Sequence, residues 1–445
     1  MRPRSITGPV VLVIVGVLIL LSNLGYSIPF WRYLADYWPF LLIGLGVVRL
    51  AEVLFHVSRG SAPPHGSGGS GFFWVVLILV CLAVWGNRNG FYVRSFNTPG
   101  TIGIFGSPFD YDVSAKGSTD GITRLVIDNI GGDLTVHGSD GSEVQVTGHK
   151  TVRAFSRNEA DRADKDSTVQ LLRQTQGDSL LLRAGEPARM GLRSISTDLD
   201  IAVPRGMNVE VRGRGDLNIQ DMAGMVNVTD SRGDIVLSNI GKDLRVVAHG
   251  GLIRATGVKG SIDLQGRGGD VQLENVDGPV TVDGEFSGTL EFRALAMPLH
   301  FQSSHSDFRA EKVPGSITMD LGDLKLDNVV GPVSFRTGTR DIDATDITNS
   351  LELNVDRGDI EVSASKLALP KMDVHSHNGD IALTLPENAG FSLDGKAGTG
   401  EVENGFGSAL ETHNDGRSAR IQGRVGNGPQ LLAVTDRGTL TIRKK

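Results

Sequence analysis

The sequence is short of three things, and each absence removes a class of function. Aromatic residues make up 6% of the 445 residues, all four Trp (Trp31, Trp38, Trp74, Trp85) precede residue 86, and the last Tyr is Tyr111. Nothing after Asp120 therefore offers a Trp or Tyr platform to a sugar ring. There is one cysteine, Cys81, which excludes an internal disulfide framework, and its place in an apolar run argues against a thiol nucleophile. Positive charge is scarce too: the net charge is −7 and no extended Lys/Arg run occurs, so no nucleic-acid surface is expected. There is no Gly-rich phosphate loop ahead of a helix and no Ser/His/Asp arrangement, so the chain is read as a non-enzyme needing no cofactor.

Long apolar runs are present, but only near the N-terminus. Residues 8–24 (GPVVLVIVGVLILLSNL) and 39–55 (PFLLIGLGVVRLAEVLF) each have about the length of a short membrane-crossing helix, and a third run, 72–86, is shorter. Trp and Tyr stand at the edges of these runs, where amphipathic rings favour the headgroup layer. Arg2, Arg4 and Arg59 place the N-terminus and second loop in the cytoplasm, with Arg32 and Arg88 opposing. Three crossings then put the remainder outside the cytoplasm, whereas two would leave it inside. No small-residue cleavage site follows the first run, so it is read as retained. Arg49 and Glu52 read as an i,i+3 pair at a helix end, and Ser61 to Gly71 as a flexible connector.

Glycine is abundant, with 58 residues, and beyond residue 210 it recurs in phase. Gly-Asp-apolar anchors occur at Gly215-Asp216, Gly233-Asp234, Gly269-Asp270, Gly322-Asp323, Gly358-Asp359 and Gly379-Asp380, with Arg340-Asp341 as a variant. Degenerate copies at Gly251, Thr289 and Ser306 fill the gaps. Inside each step a second apolar pair follows nine positions later, as in Leu217 to Val226, Ile235 to Leu244 and Phe308 to Ile317. Within each half the apolar residues alternate with polar ones, the period of a strand with one buried face. Two short strands repeated about every eighteen residues cannot bury their apolar faces alone, so successive copies must stack. The expected fold is mainly β: a parallel β-solenoid with two strands per turn, preceded by an α-helical membrane region. Arg-Gly-Asp occurs at Arg214, Arg232 and Arg357, always at the same phase, which marks a turn rather than an adhesion tripeptide.

The named Gly and Asp residues, with Asn239, Asn275 and Asn328, are expected at the corners, glycine supplying positive φ and Asp or Asn bonding the turn backbone. Arg214, Arg232, Arg340 and Arg357 are expected to interleave with the stacked carboxylates. Calcium is a weaker alternative, because the dense nine-residue calcium repeat is missing. One further cluster stands out, KMDVHSHNGD, where Asp373, His375 and His377 alternate on one strand face. It is a weak zinc candidate, since same-side positions on one strand lie nearly in a line and fit a tetrahedron poorly.

Residues 8–51, with GPVVLVIVGVLILLSNLG followed by WPFLLIGLGVVRL, resemble the LiaI/LiaF-like transmembrane region of bacterial envelope-stress proteins. The stretch from about Leu125 to Lys445 is similar to the toast-rack domain family, also called adhesin-like, through TDLDIAVPRGMNVEVRGRGDLNI, HNGDIALTLPENAGFSLDGKAGTGEV and TDRGTLTIRKK. The resemblance implies a bacterial membrane-anchored solenoid tied to envelope-stress sensing, often near two-component systems. It carries over no catalytic residue.

The expected organisation is a membrane region over 1–90, a linker over 91–120, an N-terminal part and cap over 121–210 with a short helix within Thr151 to Gln176, a repeat solenoid over 211–395, and C-terminal rungs and cap over 396–445. The expected place is the bacterial cytoplasmic membrane, multi-pass, with the solenoid outside. Expected partners are the lipid bilayer and either a membrane sensor of a two-component system or a cell-wall component. A surface adhesin or self-associating structural protein is the alternative, and a polysaccharide-cleaving enzyme, which would need paired carboxylates in a groove, the weaker one.

Overall fold

The computed structural model describes residues 107–129, 131–174, 178–184 and 195–445, all of which fall in one compact unit, 103–445. The expected spans at 8–24, 39–55 and 72–86 lie outside the described residues. Among the described residues no helix is long and apolar enough to cross a membrane.

The chain opens with β1 (Ser107–Ser118), β2 (Arg124–Asn129), β3 (Leu134–Ser139) and β4 (Glu143–Ala154), then a helix, α1 (Arg157–Asp166). β5 (Gln170–Arg173), β6 (Ser179–Ala184), β7 (Ile195–Pro204), β8 (Asn208–Gly213) and β9 (Leu217–Met222) follow. A regular stretch comes next: β10 (Val226–Ser231), β11 (Ile235–Ile240), β12 (Leu244–Ala248), β13 (Ile253–Val258), β14 (Ile262–Gly268), β15 (Val271–Val276), β16 (Val280–Phe286), β17 (Leu290–Leu295) and β18 (Leu299–Gln302). Then come β19 (Ser306–Ala310), β20 (Val313–Met319), β21 (Asp323–Asp327), β22 (Val333–Thr339), β23 (Asp341–Thr345), β24 (Ser350–Arg357), β25 (Ile360–Ser363), β26 (Lys371–Ser376) and β27 (Ile381–Leu385). β28 (Phe391–Thr399), β29 (Val402–Asn404), β30 (Leu410–Asn414), β31 (Ala419–Val425), β32 (Gln430–Arg437) and β33 (Leu440–Lys444) close the chain.

Alternate strands go to two sheets. The first runs β1-β4-β7-β3-β9-β11-β13-β15-β17-β20-β21-β23-β25-β27-β33-β29. In the second, β8, β10, β12, β14, β16 and β18 stack in parallel, and so do β22, β24, β26, β32 and β28. The stacking is in register, Leu217 against Ile235 against Ile253 against Val271, so one column of inward aliphatics faces another formed by Val226, Leu244, Ile262 and Val280. All eight are at most 4% exposed, and each buried aliphatic contributes roughly 1.5–3 kcal/mol. Phe292, Phe301 and Phe335 also point inward and are buried. The chain is therefore mainly β and built on long parallel ladders, as the repeat implies.

One rung departs from that expectation. β18 pairs antiparallel with β19, and β19 pairs antiparallel with β22. In the other sheet β17, β20 and β21 are successively antiparallel. The segment 306–319 thus runs backward between two parallel blocks, and Phe308 sits in the second sheet and Ile317 in the first, the reverse of the order that the nine-residue spacing suggests. The cause is the turn Ser303-Ser304-His305, which folds the chain back along β18 instead of around a corner.

Near each end of the described unit, strands are inserted between others. β2 lies between β6 and β8, and β3 between β7 and β9. At the far end β32 lies between β26 and β28, and β33 between β27 and β29. The last strands therefore fill an inner rung, while 391–425 forms the outer end.

Helix α1 is N-capped by Ser156, whose hydroxyl accepts the Glu159 N–H, while the Glu159 carboxylate reaches back to accept the N–H of Phe155, the residue before the cap. Its other end is held by Lys150 of β4, whose ammonium is 2% exposed, contacts Asp164 Oδ1 at 2.6 Å and donates to the carbonyls of Asp164 and Ser167. The unmatched carbonyls of the last helical turn thus meet a cation, as the helix dipole favours.

Candidate functional site: the corners, the histidine pair and the outer faces

The corner residues named from the sequence fall at one edge of the stack, and their role differs from a turn-capping one. Asp133 Oδ1 accepts the N–H of Asp216, Asp216 Oδ1 that of Asp234 at 2.9 Å, and Asp234 Oδ1 that of Leu252 at 2.8 Å. The same bond joins Asp270 to Thr289, Asp341 to Asp359, Asp359 to Asp380 and Asp380 to Thr439. Each carboxylate thus bonds the backbone of the next rung, not its own turn. This also relieves the repulsion expected of stacked carboxylates, because each is matched with an N–H dipole. Arginine does not do so: the described residues show no ion pair between Arg214, Arg232 or Arg357 and the corner carboxylates. Arg340 is half-buried with one guanidinium nitrogen lacking a hydrogen bond, and burial lowers its pKa.

Glycine at these corners answers to crowding more than to φ. A Cβ on Gly233 would lie 2.5 Å from the Gly215 carbonyl oxygen, and one on Gly215, Gly358 or Gly379 would collide with the carbonyl of the rung before it. Of the six named glycines only Gly358 has a left-handed φ, 143°. Gly269 has its nearest neighbour at 3.4 Å. Gly322 and Asp323 stand outside the ladder. Their rung follows the reversed one, so the corner is a hairpin in which Asp320 Oδ1 accepts the N–H of both Gly322 and Asp323. Those two donors hold the Asp320 carboxyl below its ordinary pKa.

Asn239, Asn275 and Asn328 are not at corners either. With Asp221, Gly257, Ala294 and Asp346 they adopt left-handed φ of 50° to 72° in or beside strands of the first sheet, forming an in-register column of kinks. The left-handed residue lets Leu237 and Ile240, three residues apart, both face inward. Asn and Asp are among the few non-glycine residues that take this conformation readily. Asn239 Nδ2 also donates to Asp221 Oδ1 at 2.9 Å.

The histidine cluster reassembles with a different carboxylate. His377 Nδ1 lies 2.7 Å, and His375 Nε2 3.6 Å, from Asp436 Oδ2, a residue of β32 brought alongside by the tucked C-terminal strands. The His377 bond, with both imidazoles nearby, lowers the Asp436 pKa. Asp373, also on β26, is exposed, and among the described residues no hydrogen bond or ion pair joins it to either histidine. Among the described residues no group of three or more His, Cys, Asp or Glu is arranged to hold a metal. Asp436 was invisible as a partner because it lies 59 residues from His377 in sequence.

A small hollow against Leu134, Val211, Gly215 and Ser231 has a volume of about 10 Å³, room for one water. What the solenoid presents instead is outer sheet surface of alternating polar side chains, such as Arg245, Asp263 and Thr281 on adjacent strands.

The toastrack family model DUF4097 matches residues 122–443. The chain belongs to the toastrack family. A second model, the LiaF transmembrane domain, matches residues 7–107, which makes this a membrane-anchored toastrack protein. Comparison with curated proteins returns no match. Among solved structures, the toastrack chain is similar to one titled a "putative cell adhesion protein" from Clostridium sporogenes ATCC 15579, at 9% identity over 76% of this chain and 100% of that one, with a TM-score of 0.17. It is also similar to one titled a "Putative lipid binding protein" from Parabacteroides distasonis ATCC 8503, at 12% identity over 76% and 97%, with a TM-score of 0.20.

Proposed function

We propose that this toastrack protein is a multi-pass protein of the bacterial cytoplasmic membrane whose solenoid stands outside the cytoplasm and binds an envelope component or a membrane sensor of a two-component system. It acts in envelope-stress sensing, by binding rather than by catalysis. The observation that carries this is the join of a LiaF-type transmembrane region over 7–107 to a toastrack unit over 122–443. The surface chemistry supports it: a stack with long polar outer faces recognises an extended partner by area and charge pattern, not by enclosing a small molecule.

A reporter enzyme active only outside the cytoplasm, fused after Lys445, tests the placement. Activity is expected; activity only from a cytoplasm-specific reporter at the same site would overturn it. Deleting 1–102 in the native host is expected to abolish the stress response while leaving the toastrack unit folded by circular dichroism, and an unaltered response would sink the signalling role.

A further inference from the structure

Each sheet ends in two edge strands, and these edges are not alike. β5, β29 and β30 are 4, 3 and 5 residues long, which is how natural sheets blunt the open row of N–H and C=O groups at an edge. β1 is 12 residues long, and among the described residues it pairs only with β4. It is also held rigidly. Tyr111 donates to Asp161 Oδ1 of α1 at 2.7 Å, and the Arg157 guanidinium lies 5.6 Å and 5.4 Å from the Phe109 and Tyr111 rings. Val113 and Ala115 pack against the main core.

We propose that β1 is a docking edge for a second copy of this chain, joined by antiparallel β1–β1 pairing about a two-fold axis at Val113. In that register Pro108 faces Ser118, Asp110 faces Lys116 and Asp112 faces Ser114, each contact made twice because the interface is isologous, and Val113 faces itself once on the axis. Slipping by one residue toward the N-terminus of each strand sets Asp112 opposite Asp112, and slipping by two sets Asp110 opposite Asp112, so like charges oppose those registers. Asp110 and Asp112 are already ordered on the exposed face, by Thr151 at 2.7 Å and His149 at 3.0 Å on β4. The pairing would extend the first sheet continuously across two copies, a backbone-driven recognition that uses the one long strand edge left unpaired among the described residues.

The test uses the full chain in membranes with Cys81→Ser as background. Two differently tagged copies are co-expressed, one with Asp112→Cys and the other with Ser114→Cys, and oxidised mildly. A mixed disulfide is expected, with none when Ser287→Cys, exposed in the middle of the stack, replaces Ser114→Cys. Adding Lys116→Glu to both copies should lower the yield roughly five- to tenfold, since two opposed pairs become repulsive, and adding Asp110→Lys as well should restore it. No mixed disulfide, equal yield from the Ser287→Cys control, indifference to Lys116→Glu, or cross-linking only to a different protein would each overturn the proposal.

Discussion

The parallel stack from β9 to β18 and the reversed rung of β19 and β20 have the same core and different corners. In the stack the turns meet like neighbours, so the same residue types recur: a glycine beneath a carbonyl at Gly215, Gly233 and Gly251, and an aspartate accepting the next rung's N–H at Asp216, Asp234 and Asp270. At the reversal itself the neighbour is a hairpin and both devices are missing, to return on the parallel rungs beyond it at Asp341, Gly358 and Gly379. A Cβ on Gly322 would find nothing nearer than 3.9 Å, and the carboxylate that matters is Asp320, bonding within its own turn. The repeat is thus an imprint of parallel stacking, while the alternation of apolar residues records burial alone.

If reversal changes direction but not burial, core truncations should cost alike in both regions. Phe308, fully buried with its ring 5.8 Å from that of Phe335, and Ile235 in the parallel stack are the matched pair. Phe308→Ala is expected to cost about 3–5 kcal/mol and Ile235→Ala about 2–5 kcal/mol in urea unfolding. A Phe308→Ala cost below about 1 kcal/mol would show that the reversed rung is not packed as described. Corner glycines should separate the regions instead. Gly358→Ala adds a methyl against the Arg340 carbonyl at a left-handed φ and should cost about 2–4 kcal/mol. Gly322→Ala should fall within about 0.5 kcal/mol of the parent, and equal effects at both sites would remove the distinction.

These contrasts also show how far the sequence could be read. Membership of the two-sheet stack was plain in the period of two and the step of eighteen, because both follow from burial and stacking. Strand direction was not, since an apolar-polar alternation such as Phe308, Arg309, Ala310 reads the same in either sense, and the missing Gly-Asp at Ser306 recurs at Gly251 and Thr289, whose rungs stay parallel. The column of left-handed kinks looked like corner chemistry because Asn serves a left-handed turn and a left-handed kink within a strand equally well. The pairing of His377 with Asp436 depends on the C-terminal strands being inserted between earlier rungs, and no local pattern encodes an insertion.

The aspartate ladder allows a finer comparison. Asp234→Ala leaves the Leu252 N–H without its acceptor and should cost about 1–2 kcal/mol, whereas Asp234→Asn keeps an oxygen there and should recover most of that. Asp307, on the reversed rung, meets only the exposed His300 and Arg309 side chains, so Asp307→Ala should cost less than about 0.5 kcal/mol. Thermal unfolding of the four proteins side by side ranks them; an Asp307→Ala cost equal to that of Asp234→Ala would mean that inter-rung bonding adds nothing.

The smallest expected effect is on pH dependence, and it arises in both regions by different bonds. Asp243 is held below its ordinary pKa by the backbone N–H and hydroxyl of Ser261 on the next rung, and Asp346 by the hydroxyl and N–H of Ser365. Asp320 is lowered by the two N–H groups of its own hairpin. A carboxyl with a lower pKa folded than unfolded adds stability that is complete above the unfolded value, about 4, and is lost as pH falls through the folded value. The melting temperature should therefore hold steady as pH falls from 6 to about 5 and then decline below about 4. Asp243→Asn and Asp320→Asn remove the titrating group but keep an acceptor, so each should flatten part of that decline, by a small amount because both sites are exposed to solvent screening. If neither substitution changes the acid limb, the bonds that hold the corners contribute nothing to its slope, and the acid sensitivity belongs to other carboxylates.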